Sequence, residues 1–375
     1  MNVVIFSWRD LDHPQAGGAE VYTHHVASGL AARGHSVTLF ASKFRGAADC
    51  EERAGYRIVR AGSEVSCRLH AGKWLWLNRR SVDVVVDEVN TLPFFSSTIA
   101  PDKTILLMFQ LAREVWLAEA PWFVRKLGYS FEPIYLRPYR HTPIVTISES
   151  SAASLRGIGL SGEIHIVDIA VDDPPPHVKP NPVIGRIGYV GRVTPSKRVD
   201  HLIAALPHVC SAVPAAELVI IGRGAPGYLH RLKRQARALG VDDRVTFRGV
   251  LGADDRDAAM AMFDVICMTS LREGWGIAIT EAGRFGVPSV VYPVNGLIDS
   301  TRDGETGLVA DECTPEALAH AVIRLIRDRS LRTRVGEGAL RFAACFNTDR
   351  LTDGIEDVLL RRYNAVVPMH TRRAS

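Results

Sequence analysis

Short apolar runs rich in β-branched residues recur along the chain, each separated from the next by a stretch of helix length. The first series is VVIF (3–6), VTLF (37–40), VDVVV (82–86), TILLMF (104–109), IVTIS (144–148) and IHIV (164–167). A second series is IGYVG (187–191), LVIIG (218–222), RVTF (244–247), VICM (265–268), PSVVY (288–292) and TGLVA (306–310). Strands that are apolar throughout, and that alternate with amphipathic helices, imply parallel sheets covered on both faces. Between the two series runs DDPPPHVKPNP, whose prolines at 174, 175, 176, 180 and 182 exclude both helix and central strand. The pattern therefore predicts an α/β chain of two Rossmann-like, doubly wound, parallel-sheet domains. The first covers 1–172, the linker 173–182 and the second domain 183–346. A last helical pattern, DRLTDGIEDVLLRRYNAVV, is expected to pack back over the linker or the N-terminal domain, with the final HTRRAS frayed.

A length of 375 residues suits two domains, and 47% hydrophobic residues suffice for two cores. The 45 basic and 41 acidic residues leave a net charge of +4, too little to mark a nucleic-acid binder by composition, so any basic chemistry is local. Of the basic residues 38 are arginine; the enrichment suits bidentate phosphate contacts but is explained first by general composition. The six cysteines lie far apart with no C-x-x-C pair, arguing against a zinc module or disulfide framework and for reduced thiols in a cytoplasmic protein. The opening MNVVIFSWRD reaches charge after four apolar residues, so it reads as a first strand rather than a signal peptide or membrane span.

Both halves open with a strand, a glycine-bearing loop and a helix, and sheets of this kind bind ligands at the carboxyl ends of their strands. Gly17 and Gly18 precede the first helix, where backbone N–H groups can approach an anion; a simple turn is the alternative. Arg192 and Lys197 follow the first strand of the second half and can clamp a diphosphate, or be two solvated surface charges. In SLREGWGIAITEAGRFGVP, Gly274 and Gly276 make a loop, and the N–H groups leading to Ile277 offer an anion site at a helix start. Glu273 in that loop can accept from sugar hydroxyls, and Glu281, inside the helix, can hold a diol such as a ribose. The alternatives are a turn residue and a helix-dipole partner.

The combination of G-G-A-E after the first strand, G-R and Lys197 after the first strand of the second half, E-G-W-G-I-x-x-x-E, A-x-x-x-G-V-P and G-E-T-G-L-V resembles glycosyltransferase family 4 over essentially the whole chain. The resemblance implies a GT-B fold with the active site in an interdomain cleft, closing by a hinge at the linker and C-terminal tail. It implies a retaining, metal-independent hexosyl transfer from a UDP- or GDP-sugar with no separate cofactor. Arg192 and Lys197 would bind the donor diphosphate, Glu281 the ribose, and Glu273 the transferred sugar. Gly17 and Gly18 would approach the donor from the N-terminal domain, and Gly222 and Arg248 to Val250 would surround the base. Where many relatives carry an acceptor-side histidine, the sequence reads Phe109-Gln110; Gln110, Arg113 or His24 is expected to position the acceptor instead. The acceptor would be a carbohydrate, a lipid-linked sugar or a small natural product.

Rival readings exist. Gly222 to Gly227 fits G-x-G-x-x-G, with Asp242 at dinucleotide spacing, as in an NAD-dependent oxidoreductase; however, Pro226 interrupts the loop and the strand is the second of its domain. Asp10-Leu11-Asp12 is an Asp-x-Asp of the kind that holds a divalent cation, for which a surface turn is the expected role. The fold is also compatible with an epimerase, a phosphorylase or a sugar-nucleotide binder. From Val115 to His141, seven aromatic residues interleave with Arg125, Lys126, Arg137 and Arg140. This reads either as a patch for the inner membrane face or as helices with inward aromatics, and Pro121, Pro133 and Pro138 favour the second.

Overall fold

In the computed structural model, residues 1–119 and 121–366 are described, and the chain divides into two compact units. The first unit begins with β1 (Asn2–Phe6), α1 (Gly18–Ala32), β2 (Ser36–Ala41), β3 (Cys50–Arg53), β4 (Tyr56–Arg60) and α2 (Cys67–Asn78). It continues with β5 (Val84–Glu88) and β6 (Thr104–Leu107) and closes with β7 (Ile144–Thr146), α5 (Glu149–Gly157) and β8 (Ile164–Ile166); between β6 and β7 run α3 (Arg113–Glu119) and α4 (Trp122–Tyr135), of which only Arg113 and the part of α4 from Leu127 onward belong to this unit. The strands form one sheet in the order β3-β4-β2-β1-β5-β6-β7-β8. The central pairs are parallel, with Val3 opposite both Val37 and Val84. Val4, Phe6 and Val85 pack on one face against Cys67, Ala71 and Leu75 of α2.

Two features depart from the sequence reading. The β3–β4 pair is an antiparallel hairpin at the sheet edge, Cys50 opposite Val59. Its first strand, CEER, is polar and half exposed, as an edge strand is, and so carries no apolar run. The first unit is also not contiguous through Asp172: Glu114–Lys126 belongs with the second unit, whose remainder starts at Val171. Glu114 is held there by Arg272 at 2.8 Å.

The second unit contains β9 (Arg186–Val190), α6 (Val199–Ala212), β10 (Glu217–Ile221), α7 (Pro226–Ala238), β11 (Val245–Gly249), α8 (Ala253–Met260) and β12 (Val265–Met268). It ends with α9 (Ile277–Gly283), β13 (Ser289–Val291), α10 (Leu297–Ser300), β14 (Gly307–Val309), α11 (Pro315–Arg327) and α12 (Arg329–Ala343). All its strands are parallel, in the order β11-β10-β9-β12-β13-β14. Ile187, Tyr189, Leu218 and Ile220 face α6 and α11 in one core, whereas Val190, Val219, Ile221 and Ile266 meet Phe263 and Phe285 in another. This two-sided burial is what apolar runs without alternation require.

The last helix, α13 (Thr348–Val366), belongs to the first unit. Arg33 at the end of α1 reaches Asp353 and Glu356, both at 2.6 Å, and Glu356 also meets His35 at 2.7 Å.

Candidate functional site

In the second unit the first strand, β9, sits mid-sheet with β10 on one side and β12 on the other. The chain reverses its direction of winding there, and the carboxyl edge of a sheet at such a switch point is where a crevice for ligands forms. Arg192 to Arg198 leave β9 at that place, and Thr269 to Gly276 leave β12 beside them. The loops are bonded together: Leu271 N–H donates to the Ser196 carbonyl at 2.8 Å, and Thr269 Oγ1 donates to the Lys197 and Arg198 carbonyls at 3.0 and 2.9 Å. A 3-10 turn, Pro195–Lys197, and Arg198 in a left-handed conformation aim Lys197 back across the crevice.

Lys197 Nζ donates to Glu273 Oε1, which also accepts from Ser270 Oγ at 2.6 Å. Both charged side chains are largely buried, with 14% and 10% of their surface exposed. At that exposure an ion pair is weakly screened, and losing one partner is costly. The loop holding Glu273 is fixed from behind, because Glu273 N–H donates to the Asn295 carbonyl at 3.1 Å. Gly296 follows Asn295 with φ +80°, and a Cβ there would lie 2.3 Å from the Glu273 carbonyl oxygen. Arg192 is half exposed at the mouth, its backbone carbonyl anchored by the buried Tyr189 hydroxyl at 2.7 Å. Glu119 of α3 accepts from Ser196 Oγ and lies 3.9 Å from Arg192. This clamp thus already receives a carboxylate, and sequence reasoning did not single out Glu119 or Ser196.

The remaining residues expected on the donor side fall along the same edge. Gly222, after β10, abuts the β9 loop so closely that a Cβ would lie 1.8 Å from the Gly191 carbonyl oxygen, and its N–H donates to Gly249 at 2.7 Å. Arg248 and exposed Val250 lie at and just past the end of β11. Gly274, Gly276 and Ile277 lead into α9, with Gly276 left-handed at its start. Glu281 lies within α9, where burial pushes its carboxyl up against the opposing pull of Arg256 and Arg284; Arg256 stands 3.2 Å away. The glycine-rich run 222–227 is one strand removed from the crevice, and Pro226 is the first residue of α7. The dinucleotide fingerprint therefore lacks the position its chemistry needs.

The carboxyl edge of the first unit has its own crevice, since β1 lies between β2 and β5. Gly17 caps α1 and Gly18 opens it, but the Gly17 N–H is already bonded to Glu20 at 2.7 Å. The expected anion contact through Gly17 is thereby corrected: the helix start carries its own carboxylate. His24 is corrected too. It contacts the Tyr56 hydroxyl at 2.9 Å, at the start of β4, whereas acceptor positioning would need the opposite edge. Gln110 lies past β6 with its Oε1 buried and unpartnered, and Phe109 packs edge-on against Tyr22 at 5.0 Å. Arg113, at φ +28°, donates its N–H to Glu132 at 2.8 Å and stacks its guanidinium over Tyr129. Asp10 and Asp12 do not form a bare surface turn: buried Asp10 pairs with buried Arg60 at 2.6 Å, and Asp12 meets Arg53. A cation would have to displace guanidinium groups.

One residue of this edge was missed by sequence reasoning. Glu88 ends β5 almost fully buried, accepting from Thr23 Oγ1 at 2.6 Å and Asn90 Nδ2 at 2.7 Å. Burial pushes its carboxyl up to about 8, the Thr23 bond opposes this, and Glu20 nearby reinforces it. The acid pair ending VVVDE was the available signal. Its neighbour Asp87 is raised by burial as well, but serves the loop, accepting from Phe94 N, Ser96 and Tyr139.

Residues 183–342 match the family described as "Glycosyl transferases group 1", and residues 16–173 match "Glycosyltransferase Family 4". The chain belongs to glycosyltransferase family 4. It is a GT-B, nucleotide-sugar glycosyltransferase. A relative from Mycobacterium tuberculosis (strain H37Rv), a GDP-mannose-dependent alpha-(1-6)-phosphatidylinositol monomannoside mannosyltransferase, is 28% identical, over 92% of this chain and 95% of its own. A D-inositol 3-phosphate glycosyltransferase from Salinispora arenicola is 33% identical over 50% of this chain and 44% of its own. Among solved structures, sucrose-phosphate synthase from Thermosynechococcus elongatus superposes with a TM-score of 0.80 at 18% identity, covering 97% of this chain and 99% of that one. Alr3699/HepE of Anabaena, solved with UDP and glucose, gives 0.73 at 18% identity over 96% and 100%. At that identity these two speak for the fold alone. Among the described residues no helix is long and apolar enough to cross a membrane.

Proposed function

We propose that this glycosyltransferase transfers a hexosyl group, with retention of anomeric configuration, from a GDP-hexose to a hydroxyl of a lipid-linked acceptor; a UDP-hexose is the second donor to test. The observation that carries the reading is the Lys197–Glu273 pair beside Arg192 at the crevice between β9 and β12. Breaking the sugar–phosphate bond leaves growing negative charge on the diphosphate. Preorganised cations in a partly buried site stabilise that charge far better than water does. In this account Lys197 and Arg192 receive the leaving diphosphate. Glu273, held by Ser270 and by the Asn295 carbonyl, keeps the ammonium in place and turns its carboxylate toward the sugar hydroxyls. Attack by the acceptor hydroxyl from the side the diphosphate leaves would retain configuration, and the departing phosphate oxygen would take the hydroxyl proton. The choice of GDP and of a lipid-linked acceptor follows the mycobacterial relative named above.

Thermal shift with GDP, UDP and ADP tests the donor, because a ligand that binds only the folded state raises the melting temperature by mass action. GDP is expected to give the largest shift. Turnover of GDP-mannose with a lipid-linked acceptor, followed by determination of the product's anomeric configuration, tests the reaction. An inverted product overturns retention, and an isomerised nucleotide sugar from donor alone overturns the transferase reading. Activity lost in EDTA and restored by a divalent cation would overturn a metal-independent departure of the diphosphate.

A further inference from the structure

Helix α4 turns its apolar side to solvent. Phe123, Leu127, Phe131 and Ile134 are spaced i, i+4, i+8 and i+11, which places them on one stripe. A helix of a globular protein ordinarily buries such a stripe. Here they are 66%, 54%, 49% and 44% exposed, and Trp122 at the helix start is 82% exposed. The proline argument for inward aromatics is overturned: Pro121 precedes the helix, and Pro133 is accommodated in its last turn.

The charge on this helix is one-sided. Between Trp122 and Arg140 the only carboxylate is Glu132, and it is fully buried, bonded to the Ala112 and Arg113 N–H groups. Lys126 on the helix and Arg137 and Arg140 just past its end are exposed, so the exposed charges of this segment are all positive. Helix α2 of the first unit likewise exposes Leu69, Trp76 and Leu77, with exposed Lys73 on the same helix. Arg68, in its first turn, lies within electrostatic range of Tyr135 at the end of α4.

We infer that α4 is a membrane-docking helix, lying in the interface of an anionic bilayer with Trp122, Phe123, Leu127, Phe131 and Ile134 among the acyl chains and Lys126, Arg137 and Arg140 at the headgroups. Apolar insertion and basic residues together are what distinguish an anionic lipid surface from a protein partner, whose interface core would be depleted of charge. The inference rests on the lipid-linked acceptor proposed above, since an enzyme held at the surface meets such a substrate in two dimensions.

The test uses the full chain and vesicles of phosphatidylcholine with and without phosphatidylglycerol, at low and high salt, in co-sedimentation. Binding to the anionic vesicles is expected at low salt and is expected to fall as salt rises. Phe123→Ser with Phe131→Ser should weaken it by at least about 10-fold, and Lys126→Gln by about 5-fold. Both changes are on exposed positions, and an unaltered melting temperature with an unaltered GDP shift verifies folding and the donor site. Wild-type protein that ignores anionic vesicles overturns the inference. So does vesicle binding that the double variant leaves unchanged, or a wild-type dimer in light scattering that the double variant makes monomeric. Vesicle binding without any nucleotide-induced shift would instead overturn the donor reading and leave the docking helix standing.

Discussion

Glu88→Gln removes one buried ionisable group with almost no change of shape, and its effect can be worked out beforehand. Below pH 4.5 the carboxyl is protonated in both folded and unfolded chains, so its contribution does not vary. Between 4.5 and about 8 the unfolded chain ionises while the folded one keeps its proton, and stability falls as pH rises. Above about 8 the folded protein ionises too, and the loss levels off. At about 1.4 kcal/mol per pH unit, the whole interval amounts to roughly 5 kcal/mol, of which about 3 falls between pH 6 and 9. At about 2–4 °C per kcal/mol, this is a fall in melting temperature of roughly 5–10 °C over that range. Glutamine stays neutral and still accepts from Thr23, so its profile should be flatter by that amount, and the variant should be the more stable protein at pH 9. Scanning calorimetry of both proteins from pH 6 to 9 makes the measurement. Parallel profiles would show that Glu88 is already ionised at pH 6, and that burial does not govern it.

Lys197→Ala should lower kcat by a factor on the order of 100 or more, the scale for losing one preorganised donor to a leaving group, as measured by release of GDP. An unchanged kcat would remove the clamp from the mechanism. Gly296→Ala should cost roughly 3 kcal/mol or more in urea unfolding, since the new Cβ meets the Glu273 carbonyl oxygen at 2.3 Å and φ is +80°. A midpoint equal to the wild type's would mean the loop shifts freely. Glu119→Gln should tighten GDP binding by up to about 5-fold in calorimetric titration, because Arg192 is half exposed and the released attraction is correspondingly modest. Weaker binding in that variant would make Glu119 part of the nucleotide site rather than its competitor.

What the sequence determined by itself was the local and periodic part. Apolar runs such as VVIF, LVIIG and VICM announce strands buried on both faces, and DDPPPHVKPNP announces a segment with neither helix nor strand, because these properties depend on neighbours a few residues apart. Lys197, Glu273 and Arg192 could be picked out as candidates for a related reason: loops after the carboxyl ends of parallel strands are where such sheets bind. Tertiary structure alone decided the pairings. Lys197 and Glu273 are 76 residues apart and meet only because β9 and β12 are adjacent. The partners of Glu119, the engagement of Gly17 by Glu20 and of His24 by Tyr56, and the burial of Glu88 also follow from which elements pack together. The α4 stripe shows the division most plainly. Spacing places Phe123, Leu127, Phe131 and Ile134 on one side of a helix, but periodicity is blind to direction, and the Glu132 carboxylate, bonded to two N–H groups at the helix's inner side, turns that stripe toward solvent.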